Sequence, residues 1–128
     1  MKLLQAEIVG LVVAMFLSLG APPPVLAANA DFDGKWRGER IDVTEDPGFC
    51  RETTMYGAVQ AGNATFVLDY NGTKLTGAIQ ADGALKLDGD NYEWDYQFQG
   101  KASENRIEGT WKLGNASCRG TWWLEKEK

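Results

Sequence analysis

Between residues 31 and 125 apolar and polar side chains alternate with a period of two almost without a break. The clearest run is Tyr92-Glu93-Trp94-Asp95-Tyr96-Gln97-Phe98-Gln99, with four aromatics on one face and four polar residues on the other. That pattern predicts a half-buried antiparallel strand. Residues 107–113 and 118–125 repeat it, with Trp122 inward and Trp123 outward. No window carries a convincing helical stripe. Turn formers such as Ala61-Gly62-Asn63, Asn71-Gly72, Ala81-Asp82-Gly83 and Gly114-Asn115-Ala116-Ser117 punctuate the runs. Eight strands result, at about 35–43, 52–60, 64–70, 73–80, 84–88, 91–101, 106–113 and 118–125. Their short, regular spacing predicts an all-β fold, a single small antiparallel up-and-down β-barrel. Only residues 44–49 form a longer connection, one that could act as a lid.

Ahead of the strands, residues 1–30 have a short polar head, an apolar run over 8–19, three prolines and the small-residue site Ala28-Asn29-Ala30. That order predicts a signal peptide, cleaved after Ala27 or, preferably, Ala30. The apolar run is too short for a comfortable transmembrane helix. The domain reading is therefore a signal peptide over 1–30 and a barrel over 31–128. Removing residues 1–30 takes away Lys2 and Glu7, so the mature charge is 12 − 17 = −5.

An acidic chain with no basic run is a poor nucleic-acid binder, because phosphate contacts need clustered Lys and Arg. With no second apolar segment, no membrane association is expected after cleavage. The chain has no His, which removes the commonest general base and the commonest metal ligand. Glu93 and Asp95 share a face, but it is the solvent face of the predicted strand. No acid–base pair stands out, so an enzyme is not expected, and no cofactor or metal is implied.

Cys50 and Cys118 both lie in the mature part, and export to the periplasm or beyond the cell makes a disulfide the default. It would close a loop of 69 residues, worth roughly 4 kcal/mol in the loop-entropy model. Strand parity agrees. Cys50 precedes strand two and Cys118 opens strand eight, so in an up-and-down barrel both sit at one end, and closure makes strand eight the neighbour of strand one.

Inside the strands a motif recurs: large apolar, any, Gly, any, apolar. Examples are Phe32-Asp33-Gly34-Lys35-Trp36, Phe98-Gln99-Gly100-Lys101-Ala102 and Cys118-Arg119-Gly120-Thr121-Trp122. An inward Gly weakens a strand and so needs a reason. Sharp coiling of a narrow barrel supplies one, with a ring from a neighbouring strand lying over the missing side chain.

Gly34-Lys35-Trp36, opening the first strand, resembles the first strand of lipocalins and avidins, the calycin group of barrels that hold a small apolar ligand. In lipocalins the Trp closes the barrel floor under a basic residue from the last strand region, and Lys126 lies at the matching end here. The chain is also similar to small periplasmic inhibitors of bacterial metalloproteases, which have one disulfide and about a hundred residues. The first resemblance implies a ligand cup and the second a protein partner.

The inward aromatics Trp36, Phe66, Tyr70, Tyr92, Trp94, Tyr96, Phe98, Trp111 and Trp122 mostly fill the core of a barrel this small. Three inward tyrosines, however, need partners for their O–H groups, which implies polar company or a wet mouth. The expected ligand-binding residues are Tyr70, Tyr92, Trp94, Tyr96 and Trp111. The expected function is an exported, non-enzymatic binding protein for a small amphipathic or aromatic ligand, at the end carrying the odd-numbered loops. The rival is a protein-interaction or inhibitor-like module using Trp123, with Ile41 and Val43 beside it. On a regular strand one, Arg40 and Asp42 would point inward. Burying Arg40 needs compensation, so a bulge near Gly38 that turns Ile41 and Val43 inward instead is the preferred reading. Asp88-Gly89-Asp90-Asn91 with Glu93 only faintly resembles a calcium loop. Three sequons, at Asn63, Asn71 and Asn115, all fall in predicted turns.

Overall fold

The computed structural model describes residues 30–44, 50–89 and 91–128. The expected signal segment up to residue 29, most of the expected lid (45–49) and Asp90 lie outside the described residues. The rest is all β: β1 (Gly34–Asp42), β2 (Thr53–Gln60), β3 (Asn63–Leu68), β4 (Lys74–Ala78), β5 (Ala84–Gly89), β6 (Tyr96–Ser103), β7 (Arg106–Leu113) and β8 (Arg119–Lys126). Each strand pairs antiparallel with the next, and β1 pairs with β8, so the sheet closes into a barrel in simple chain order. A closed barrel leaves no sheet edge unpaired.

The alternation places alternate side chains inside. Trp36, Met55, Phe66, Leu68, Leu75, Leu87, Ile107, Trp122 and Leu124 are all buried. The glycine pattern works as expected. A Cβ on Gly120 would sit 2.7 Å from the Trp111 indole nitrogen, and one on Gly100 would sit 2.8 Å from the Trp122 ring. Each ring occupies the volume that a side chain would have taken. The three buried indoles all find acceptors. Trp36 donates to the Phe32 carbonyl (2.9 Å), Trp111 to that of Ile41 (2.9 Å), and Trp122 to those of Gln99 and Thr110 (both 3.1 Å).

One end, here called the floor, carries the β2–β3, β4–β5 and β6–β7 turns and the chain ahead of β1. Asp33 accepts from the backbone N–H groups of Ala61 (2.8 Å) and Gly62 (3.1 Å). Lys126 stands over Trp36, with Nζ 5.8 Å from the ring centroid. At the opposite end, the mouth, Cys50 and Cys118 form the expected disulfide, with a Cα–Cα distance of 5.5 Å.

Strand six departs from expectation. The period-two run from Tyr92 predicts a strand from residue 91, but β6 starts at Tyr96. Local side chain–backbone bonds replace the ladder there. The Asn91 side-chain oxygen accepts the N–H of Glu93 (2.8 Å) and of Trp94 (3.2 Å). The Asn115 side chain accepts from the Asp95 N–H (3.0 Å) and donates to the Glu93 carbonyl (3.0 Å). Tyr92 is therefore fully exposed rather than inward, and Trp94 is half-buried against the core.

Candidate site at the barrel mouth

The expected bulge in β1 is absent. The β1–β8 register runs unbroken from Trp36↔Lys126 to Asp42↔Gly120. Gly38 lets the β8 backbone come so close that a Cβ there would collide with the Trp123 carbonyl, and that approach keeps the ladder regular. Arg40 consequently points into the barrel and is only 2% exposed. Ile41 is half-buried on the outer face, and Val43 is exposed.

The compensation that a buried arginine needs comes mostly from π-systems. The guanidinium carbon lies 4.2 Å from the Trp111 ring centroid, 5.0 Å from that of Tyr70 and 6.0 Å from that of Tyr96. Such contacts are worth most when they are shielded from water. Nη2 donates to the Arg51 carbonyl. Nε, buried, has no hydrogen-bond partner. Among the described residues no carboxylate pairs with Arg40. Asp42 spends one oxygen on the Thr44 N–H (2.9 Å), in the turn that leaves the strand.

The tyrosines belong to the same cluster. The Tyr70 and Tyr96 hydroxyls share a hydrogen bond, and Asn71 Nδ2 donates to the Tyr96 oxygen (3.0 Å). Burial, together with the bond and charge of Tyr70, pushes Tyr96 up to about 12, although Asn71 and Arg40 pull the other way. At neutral pH Tyr96 is a neutral phenol and does not offset the arginine. Buried Thr73 accepts from Asn91 Nδ2 (3.0 Å), completing a polar rim.

Of the five expected ligand residues, the barrel brings Tyr70, Tyr96 and Trp111 together around Arg40. Trp94 packs beside the core, and Tyr92 stands out in solvent. In the sequence Asn71 and Thr73 belong to a turn and sequon, and Asn91 to a faint calcium-loop pattern at a strand start, signals that look the same whether or not such a residue also lines a mouth. Trp123 faces outward as expected, but it is half-buried beneath Arg106, whose guanidinium carbon lies 4.9 Å from its ring. Outward-facing Lys35, Arg37 and Lys112 are the basic stems that the sequence pattern predicts over that indole. Arg37 instead stacks over Tyr56. Arg106 is held in place by Glu125 (2.9 Å) and Glu108 (3.2 Å).

The chain matches no protein-family model, no curated protein and no solved structure. The closed eight-stranded barrel is consistent with a calycin-like architecture. Among the described residues no helix is long and apolar enough to cross a membrane, and with the disulfide this is compatible with an exported protein.

Proposed function

We propose that the mature chain is an exported, non-enzymatic binding protein, periplasmic or secreted, that takes a small amphipathic or aromatic ligand at the barrel mouth. The observation that carries this reading is the convergence of Arg40, Tyr70, Tyr96 and Trp111 at one end of an otherwise apolar, filled barrel. The floor and waist are occupied by side chains, so the ligand seats at the mouth and not in a deep central cup. Binding sites commonly combine an apolar lining with a few convergent polar groups, and the mouth has both. The Gly34–Trp36 start and the Lys126–Trp36 contact add the calycin resemblance as support.

The outer-face alternative rests on Trp123 and exposed Val43. Arg106 over the indole leaves that patch small, which makes a protein partner there the second reading. Fluorescence titration of the purified disulfide-bonded protein with N-phenyl-1-naphthylamine, a neutral aromatic probe, tests the first. Saturable binding that Trp111→Phe weakens is expected. A flat titration, with the probe neither brightening nor quenching tryptophan, would sink the mouth reading.

A further inference from the structure

Arg40 is the least ordinary of the described residues. Removing a cation from water is expensive and is normally offset by a carboxylate or a full set of hydrogen bonds. Here the offset is partial: one carbonyl, three aromatic faces and no carboxylate among the described residues. One N–H of the guanidinium, Nε, is buried with nothing to donate to. Unsatisfied buried donors are rare in folded proteins and call for an explanation.

We infer that Arg40 is the anchor of an anion site and that the mouth selects amphipaths with a single carboxylate or sulfonate head. The inference rests on the mouth-binding reading above and adds the charge of the ligand. A monoanion against Nε would satisfy the orphan donor and neutralise the guanidinium in one contact. Hydrogen bonds between ionised partners are about twice as strong as neutral ones. The neighbouring rings suit an apolar or aromatic body. Tyr70, 41% exposed, is the one member of the cluster open to solvent, whereas Tyr96 and Trp111 are 1% and 2% exposed. Approach to Nε therefore runs past Tyr70, held at its tip by the hydroxyl bond to Tyr96. The net charge of −5 would repel anions in general, so selection for them has to come from this local charge.

Two probes with the same rings separate the possibilities: 1-anilinonaphthalene-8-sulfonate, which is anionic, and N-phenyl-1-naphthylamine, which is neutral. The wild-type protein should bind the sulfonate at least tenfold more tightly. Arg40→Gln should cost the sulfonate at least tenfold more than it costs the neutral probe, and Arg40→Lys should recover part of that difference. Equal binding of both probes, or a sulfonate affinity indifferent to Arg40→Gln, would overturn the anion site and leave the mouth reading standing. Failure of both probes to bind wild-type protein would overturn the mouth reading itself. Should the variants misfold, ¹⁵N NMR of the wild-type protein decides. The Arg40 Nε–H resonance should move on adding the sulfonate, and an unmoved resonance at saturation would overturn the inference.

Discussion

Each end of the barrel sets a cation against a tryptophan, and the two arrangements differ in everything around that contact. At the floor, half-buried Lys126 lies over Trp36. The Trp36 N–H is satisfied by Phe32, and Lys126, being only half-buried, keeps part of its side chain in contact with water. At the mouth, Arg40 lies against Trp111 and is sealed in, with one donor unused. The same pair of chemistries therefore closes one end at low cost and leaves the other holding charge and unmet hydrogen-bonding capacity. A floor of that kind needs nothing further, whereas the mouth keeps one buried donor unmet, the ground of the anion site proposed above.

The largest effect should come from cutting the latch, which belongs to the mouth alone. Replacing both Cys50 and Cys118 by Ala is expected to lower unfolding stability by about 4 kcal/mol in a denaturant titration. Hydrogen exchange should accelerate first near the mouth ends of β1 and β8. If floor amides around Trp36 loosen equally early, the two ends are not distinct units.

Next is alkaline pH. The folded Tyr96 hydroxyl, at about 12, lies above its ordinary 10.0, so between these values the native state holds more protons than the unfolded one. The resulting stability is fully present below pH 10 and is lost as pH rises toward 12, amounting to roughly 2–3 kcal/mol. Tyr96→Phe should flatten this slope in chemical denaturation measured across that range. An unchanged slope would assign the alkaline loss elsewhere.

The comparison itself is tested by exchanging each cation for an apolar chain of similar length. Arg40→Met should raise stability by about 1 kcal/mol, since buried charges are often replaced by apolar groups without loss. Lys126→Met should stay within about 0.5 kcal/mol of wild type, as expected for a contact near water. If Arg40→Met proves strongly destabilising, the aromatic box compensates the guanidinium fully and the mouth is as settled as the floor.

Much of this architecture was readable in the sequence because period two and turn chemistry act locally. The strands, closure and disulfide follow from alternation, glycine placement and parity. Two readings went astray for different physical reasons. Alternation through Tyr92–Asp95 looked like strand, but Asn91 and Asn115 offered that backbone hydrogen bonds of their own. Arg40 was expected to be turned out by a bulge, because its compensation comes from Tyr70, Tyr96 and Trp111, residues 30 or more positions away that only barrel closure brings near. Inwardness alone groups Tyr70, Tyr96 and Trp111 with Tyr92 and Trp94, and it is the regular course of β1 that shows which three surround a charge.

The chain enters β1 and leaves β8 at the floor, where the Glu127 N–H donates to the Lys35 carbonyl at 2.8 Å. Eight-residue strands at ~3.3 Å per residue, tilted as barrel strands are, set the mouth roughly 20 Å from that point. Anything joined to either end, whether a tag, a tether or a neighbouring domain, hangs from the side opposite the arginine. The floor ends of β1 and β8 lie side by side, so a permutant of residues 31–128 that joins them by a short linker and opens at Glu104-Asn105 would keep all four mouth loops intact.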